Sequence, residues 1–208
     1  MTVLNRLASQ LGRNDEEPNV LLARQLAGES NHDGIAEIIV NLTNKNKKIQ
    51  HDCIKVAYEA GELNPALISE YAETFIELLK SRDNRIVWGA MTALSAIADM
   101  SADTIMKHLE QVIAAMHNGS VITVDRGVLA LSKLAAVSRE NNNEIFPYLL
   151  DHLRNCRSKE VPQHAESTLL AVTSGNIEGF LRVLRGREEQ LTESQLKRVK
   201  KIYRRLES

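Results

Sequence analysis

The sequence predicts an all-α fold, an α-solenoid of stacked antiparallel helix pairs. Three observations predict it: a helical period of apolar residues along most of the 208-residue chain, a near absence of strand patterns, and a helical hairpin motif that occurs four times. Residues 68–79 and 105–116 show the period most plainly, with apolar side chains three and four positions apart. The one strand-like stretch, NGSVITV at 118–124, is equally compatible with the start of a helix.

The repeated motif is a small residue followed four positions later by an apolar residue and three later by another. It starts at Cys53, Ala90, Ala130 and Ala165, at intervals of 37, 40 and 35 residues. Each copy follows another amphipathic helix and a short polar turn, so the unit is a hairpin of two helices. One hairpin cannot bury its own apolar stripe, whereas stacked copies bury a continuous core.

The second unit reads FIELLKSRDNRIVWGAMTALSAIA, with an apolar first helix, a turn that carries Asp83, and then Ile86, Ala90 and Leu94. In these features it resembles a HEAT repeat. Pro147, in EIFPYLLDHL, stands where the first helices of HEAT repeats often carry a proline. The resemblance implies a right-handed superhelix, and it extends distantly to HEAT-like DNA-binding and alkylation-repair proteins. Armadillo repeats, other helical repeats and an irregular helical bundle would fit the same periodicity.

The repeats predict a single α-solenoid domain, residues 1–208. Four HEAT-like units occupy residues 33–174, capping helices precede them at 1–32, and a basic capping helix pair follows at 175–208. Val87 departs from the HEAT pattern, which would have an arginine at this position. The end units of a solenoid need a polar outer face, and both flanks have one.

Local signals mark where individual helices should begin. Asn64 and Pro65 resemble the N-cap and the first residue of a helix. Thr192 and Gln195 form a capping box for the final helix. We expect two helices within residues 3–28.

Composition limits the compartment and the class of partner. The formal net charge is −1, so global charge favours neither nucleic acid nor membranes. Cys53 and Cys156 are isolated thiols without a CxxC motif, which indicates a reducing compartment and a cytoplasmic location rather than a disulfide scaffold. The sequence shows no signal-peptide pattern and no apolar run of membrane-spanning length, so we expect no membrane association.

Catalytic and nucleotide-binding motifs are absent: no GxGxxG, GxxxxGK[ST], HExxH or GxSxG occurs. His51 and Cys53 would not share a helix face, and Cys53 takes the small core position of the repeat, which predicts a buried structural thiol. We therefore expect no enzyme, no metal and no cofactor. The sequence has six histidines, and their spacing from the two cysteines is not typical of metal ligands. They are His32, His51, His108, His117, His152 and His164.

Trp88 falls outside the apolar stripe of its helix. At about 100° per residue it points about 200° away from Ile86, toward the concave side of a HEAT-like stack. The same register in the preceding unit presents His51, Lys55 and Tyr58. A tryptophan exposed in a groove is typical of an interface anchor, although a neighbouring helix could equally cover it. The first hypothesis is a non-catalytic scaffold that binds a protein partner through a groove of Trp88, Tyr58, His51, Lys55 and Met91.

Basic residues concentrate in the turns within the units and near the C-terminus, where nine basic and three acidic side chains lie between residues 180 and 206. Such local density can hold phosphates even in a neutral protein, although a charge run is commonly a solvated face. The second hypothesis is sequence-independent binding of nucleic acid, DNA in particular, with steep salt dependence. The candidate phosphate-binding residues are Lys45, Lys47, Lys48, Arg82, Arg85, Arg154, Arg157, Lys159, Lys197, Arg198, Lys200, Lys201, Arg204 and Arg205.

An enzymatic activity is the third hypothesis. Some HEAT-like proteins are alkylpurine DNA glycosylases, which act on DNA with concave aromatic residues and a carboxylate. Here the carboxylate expected on the same helix face as Trp88 is Asp99, eleven residues later, or about 16 Å along a helix. That separation does not assemble one site.

Overall fold

The structure, a computed structural model, describes residues 2–207, apart from the side chain of Glu207. Within that range no strand forms, and the all-α prediction is confirmed. The α-helices are α1 (Glu17–Gly28), α2 (His32–Val40), α3 (Lys47–Leu63), α4 (Ala72–Leu78), α5 (Asn84–Ile97), α6 (Ala102–Met106), α7 (Leu109–Asn118), α8 (Val121–Val137), α9 (Arg139–Asn155), α10 (Val161–Thr168), α11 (Ile177–Arg185) and α12 (Glu193–Glu207).

The helices follow one another as the predicted pairs. α2 with α3, α4 with α5, α7 with α8, and α9 with α10 correspond to the four units expected within residues 33–174. α11 and α12 are the two α-helices within residues 175–208, where the capping helix pair was expected. The strand-like stretch at 118–124 becomes the start of α8, where the Ser120 hydroxyl accepts a hydrogen bond from the Thr123 amide at 3.3 Å.

The chain divides into two compact units, Met1–Gly127 and Val128–Ser208. In the first unit α3 packs against both α1 and α5, while α2 packs on α3 and α4 packs on α5. In the second unit α9 packs on α10 and α11, and α10 packs on α12. Alternate helices therefore lie in separate layers within each unit, as in an α-solenoid. The single-domain organisation of residues 1–208 stays a prediction.

Side-chain caps determine where several helices begin. Thr192 and Gln195 make the predicted capping box: the Thr192 amide donates to Gln195 Oε1 at 2.8 Å, and the Gln195 amide donates to Thr192 Oγ1 at 3.4 Å. Besides α8, which starts after Ser120, four other helices start after an Asn, Asp or Ser whose side chain accepts a backbone hydrogen bond. These caps are Asn31, Asn46, Asp83 and Ser138.

The N-terminal segment differs from the prediction of two helices in residues 3–28. A 3-10 turn forms at Val3–Arg6, and the only α-helix of this segment is α1. Gly12 has a φ of 68°, a left-handed conformation that interrupts a helix and that glycine adopts at little cost. Pro65 likewise opens a 3-10 turn, Pro65–Leu67, and α4 begins only at Ala72.

Gly89 lets α3 and α5 approach each other closely. A Cβ atom at this position would lie 2.5 Å from Cγ1 of Ile54 on α3, well inside van der Waals contact. The absence of a side chain at Gly89 therefore allows the close packing of the two helices next to Trp88.

Two further observations concern membranes and thiols. None of the helices in residues 2–207 is long and apolar enough to cross a membrane. Cys53 and Cys156 are both free thiols. Cys53 is 0% exposed, and burial raises the pKa of its thiol to about 12, so the prediction of a buried structural thiol is confirmed.

Candidate partner-binding site

Trp88 and Tyr58 form an aromatic pair between α5 and α3. Their ring centroids lie 5.4 Å apart, with the planes tilted by 56°. This is a geometry that aromatic pairs favour. Tyr58 is buried at 6% exposure, whereas Trp88 is half-buried and keeps part of its ring at the surface. Trp88 is therefore held in place by a rigid neighbour and still accessible.

A network of charges surrounds this pair. Lys55 Nζ lies 4.9 Å from the centre of the Tyr58 ring and 2.6 Å from a carboxylate oxygen of Glu59. The same ammonium lies 3.2 Å from Glu16, which precedes α1, and Glu16 also pairs with Arg85 of α5. The network joins α1, α3 and α5 at their common surface. We call Trp88, Tyr58, Lys55, Glu16 and Glu59 the Trp88 site.

The charges of the Trp88 site compensate each other. Burial lowers the pKa of Lys55, but the interactions with Glu59 and Tyr58 together outweigh it and the pKa is raised, so the ammonium stays charged. Burial raises the pKa of Tyr58, and the nearby Lys55 ammonium opposes that effect only in part. The carboxylates of Glu16 and Glu59 are 43% and 25% exposed, so both remain partly accessible to solvent.

A second polar cluster anchors the start of α5. Asp83 caps α5 by accepting from the Arg85 amide at 3.1 Å, and its other oxygen lies 2.7 Å from His51 Nε2. Lys47 Nζ lies 3.7 Å from the same carboxylate. Burial raises the pKa of Asp83, but the interactions with His51, the Arg85 amide and Lys47 together outweigh this and the pKa is lowered. His51 thus ties α3 to α5.

The structure corrects part of the predicted groove. Met91 is 0% exposed, because α5 is covered by α3 on one side and α4 on another, and so it is not available as an anchor. Lys55 and Tyr58 are also buried, at 9% and 6% exposure. Tyr58 packs against Trp88, and Lys55 lies over the Tyr58 ring. His51 is half-buried and bound to Asp83. Sequence reasoning did not find Glu16, because nothing in its local pattern shows that the N-terminal segment returns to α3 and α5.

The predicted phosphate-binding residues do not form one continuous set of available cations. Four of them bind carboxylates of the protein itself: Lys47 with Asp83, Arg85 with Glu16, Arg157 with Glu160, and Arg198 with Glu166. Ion pairs of this kind satisfy the positive charge within the fold. The other ten are exposed; they are Lys45, Lys48, Arg82, Arg154, Lys159, Lys197, Lys200, Lys201, Arg204 and Arg205.

Helix α12 carries a regular stripe of cations. Lys197, Lys200, Lys201 and Arg204 are all exposed and stand three or four positions apart, on one face of the helix. Val199 and Ile202 point to the opposite side and are buried, at 0% and 3% exposure. We call the four basic residues the α12 stripe.

The structure does not bring together the residues that the glycosylase hypothesis requires. Asp99 lies beyond the last residue of α5 and is exposed. The carboxylates that do lie in the Trp88 site, Glu16 and Glu59, are each bound to a cation.

A cluster of two histidines and one cysteine lies outside the Trp88 site, and it was not predicted from the sequence. His152, Cys156 and His164 have side-chain nitrogen and sulfur atoms that all lie within 4.8 Å of one another. His152 lies in the last turn of α9 and Cys156 follows four positions later as the C-cap, a spacing that can bring two side chains close together. The third member, His164, comes from the next helix, α10, and sequence distance alone does not reveal it.

Comparisons with known proteins bear on the fold. No family model matches the sequence, and no curated protein matches it. An engineered protein solved by the Northeast Structural Genomics Consortium matches with a TM-score of 0.65 and 18% identity, over 95% of this chain and 93% of its own. A designed armadillo repeat protein in complex with the peptide (KR)4 matches with a TM-score of 0.65 and 12% identity, over 96% and 97%.

The fold is an α-solenoid of the HEAT and armadillo type. The karyopherin Kap121p bound to the SUMO protease Ulp1p also matches, with a TM-score of 0.64 and 11% identity, over 95% of this chain but 22% of its own. The resemblance to helical repeat proteins is confirmed by these neighbours. At such identities the likeness concerns the fold alone, and function has to be argued from the site.

Proposed function

We propose that this protein is a non-catalytic scaffold whose Trp88 site binds an extended segment of a protein partner. The observation that carries the proposal is the half-buried Trp88 ring, fixed against Tyr58 at the surface where α1, α3 and α5 meet. Tryptophan is enriched among the residues that dominate binding energy, and a ring already held in place loses little freedom on binding.

The exposed carboxylates suggest what the segment contains. Glu16 and Glu59, which connect to Trp88 through Lys55 and Tyr58, carry partly exposed negative charge. A lysine or arginine side chain placed over the Trp88 face would gain a cation–π interaction and would meet these carboxylates. The designed armadillo neighbour was solved with the basic peptide (KR)4, which supports the same class of ligand on this fold. We therefore propose a segment with a basic residue at its centre.

Selection of random displayed peptides on the wild-type protein, with counter-selection against Trp88→Ala, tests the proposal. The matched control is Tyr148→Ala, because Tyr148 is a 48% exposed aromatic residue on α9, in the second unit. Enriched peptides should contain Lys or Arg. Trp88→Ala should weaken their binding about 30-fold, since residues that dominate binding contribute about 2 kcal/mol or more. If Trp88→Ala and Tyr148→Ala bound the enriched peptides with equal affinity, and circular dichroism showed both variants to be folded, the result would contradict the proposal.

A second function, sequence-independent binding of nucleic acid, is supported by the α12 stripe. Four exposed cations on one helix face form a surface that could follow a phosphate backbone. With about four phosphates contacted on duplex DNA, the logarithm of affinity should fall with the logarithm of salt at a slope of about −3.6.

Fluorescence anisotropy of labelled DNA tests this second function. The double charge reversal Lys200→Glu/Lys201→Glu should abolish binding, because the two new negative charges cancel the two remaining positive charges of the stripe. The control Arg24→Glu/Lys107→Glu changes the net charge equally at exposed positions of the first unit, and it should bind like wild type. Absence of binding at low salt, or equal losses in the two double variants, would exclude the α12 stripe as a nucleic-acid site.

A further inference from the structure

Two histidines and a cysteine meet at the junction of α9 and α10. His152 lies on α9, Cys156 caps the end of the same helix one turn later, and His164 lies on α10. Nε2 of His152 and Nδ1 of His164 are 2.9 Å apart, and the centres of the two rings are 4.8 Å apart. With the Cys156 sulfur, the three donor atoms lie within 4.8 Å of one another.

The local fold holds these side chains in fixed positions. Arg157 and Glu160 pair across the short connection between the helices, and this closes the turn that returns the chain from α9 to α10. Arg187, which is 6% exposed, donates to the carbonyls of Leu153 at 2.8 Å and Cys156 at 2.7 Å, and so fixes the end of α9. Donor groups on well-supported elements can bind an ion without large rearrangement.

The donor set suits a transition metal. Thiolate and imidazole ligands favour Zn²⁺ and similar ions, whereas Mg²⁺ and Ca²⁺ require oxygen ligands. In a tetrahedral Zn²⁺ site with Zn–N bonds of about 2.0–2.1 Å, two nitrogen ligands lie about 3.3 Å apart. The nitrogens of His152 and His164 would have to separate by about 0.4 Å from their 2.9 Å contact, which small side-chain rotations supply.

We propose that His152, Cys156 and His164 form a binding site for a transition metal ion, with Zn²⁺ as the best match. The metal would be held by two imidazole nitrogens and one thiolate, and a water molecule or an external ligand would take the fourth position. His152 and Cys156 are half-buried, which leaves a side open for entry, and His164 is 0% exposed. Nothing in the proposed peptide-binding function requires this site.

The groups around the site carry both signs of charge. Glu160 accepts a hydrogen bond from Nε of Arg157 at 2.9 Å, so its carboxylate is paired with the Arg157 guanidinium. The Arg187 guanidinium lies on the other side, against the carbonyl of Cys156. A Cys156 thiolate would offset one of the two positive charges of Zn²⁺, Glu160 and Arg157 offset each other, and the Arg187 guanidinium works against metal binding.

Metal titration of the full chain, freed of metal with a chelator, tests the site. Wild-type protein should bind one equivalent of Zn²⁺, measured by competition with a chromogenic chelator. Co²⁺ should produce a thiolate-to-metal charge-transfer band in the near ultraviolet, which reports directly on a Co–S bond. Cys156→Ala should abolish this band, and His152→Gln should weaken metal binding by about tenfold or more, the scale seen even for losses in the outer shell.

Matched controls separate the site from its surroundings. Cys53→Ala removes the other cysteine, and His117→Gln removes an exposed histidine of α7, so both variants should keep one equivalent and the full Co²⁺ band. Circular dichroism checks that each variant is folded. Wild-type binding no tighter than that of Cys156→Ala, or a Co²⁺ band that depends on Cys53 instead, would overturn the proposal and leave the contact between the histidines as a hydrogen bond alone.

Discussion

At the scale of single residues, the buried charge of Lys55 helps to hold the Trp88 site in one geometry. Lys55 is 9% exposed yet stays charged, because Glu59 and Glu16 surround its ammonium. A buried ion pair of this kind contributes little net stability compared with apolar packing, but it fixes the geometry of the groups that meet there. Here it fixes the Tyr58 ring on which Trp88 rests.

Asp83 gives a prediction about pH. Its folded pKa is lower than the unfolded value of about 3.9, so its carboxylate stabilises the fold at higher pH, and this contribution is lost as pH falls through the folded pKa. Asp83→Asn keeps a good N-cap but removes the charge that faces His51 and Lys47. We expect a loss of about 1 kcal/mol at pH 7, which begins to shrink as pH falls below about 4 and disappears once pH lies below the folded pKa.

Urea unfolding at several pH values measures this difference. Asp99→Asn, a change at an exposed carboxylate past the end of α5, is the control and should behave like wild type throughout. A deficit of Asp83→Asn that stayed constant from pH 7 to pH 3 would show that the charge of Asp83 has no part in stability.

At the scale of helices, the contact of α3 with α5 determines where Trp88 lies. Gly89→Ala would place a Cβ atom 2.5 Å from Ile54 Cγ1, and a branched side chain close to its own backbone has little room to move. The gain in helix propensity, up to about 1 kcal/mol, is smaller than the cost of overpacking, about 1–3 kcal/mol. We expect a net loss of about 1 to 2 kcal/mol in the free energy of unfolding.

The control for this change is Gly28→Ala, where nothing lies within 4 Å of the added atom. It should alter stability by less than about 0.5 kcal/mol in chemical denaturation. Emission from Trp88 should also change in Gly89→Ala, because α5 must shift relative to Tyr58. Equal stability of the two alanine variants would mean that the close approach of α3 and α5 is not required.

At the scale of the whole chain, the proposed metal site would join two helices of the second unit. A ligand that binds only the folded state stabilises it by about 2.7 kcal/mol at a concentration one hundred times its Kd. Wild-type protein should therefore melt at a higher temperature in Zn²⁺ than in chelator, while Cys156→Ala should melt at one temperature in both. Scanning calorimetry measures the shift, and its absence in wild type would count against a bound metal.

The helix pairs of the whole chain could be predicted because apolar spacing directly reflects burial. The small-residue motif at Cys53 and Ala90 marked helices that do pack into the core. Met91 was placed wrongly because a helical wheel gives the direction of a side chain but not which neighbouring helices cover it. His164 was missed for a related reason: its meeting with Cys156 depends on how the turn between α9 and α10 returns the chain.

Binding of a peptide at the Trp88 site is the central claim, and a fluorescence titration tests it most directly. Trp88 is the sole tryptophan, so its emission reports on this site without a label. Addition of a peptide selected on the wild-type protein should shift that emission to shorter wavelength in wild type and in Tyr148→Ala, with the same Kd in both. Saturable binding of the peptide, measured independently by anisotropy, with no change in Trp88 emission would contradict the account, because the ligand would then lie elsewhere.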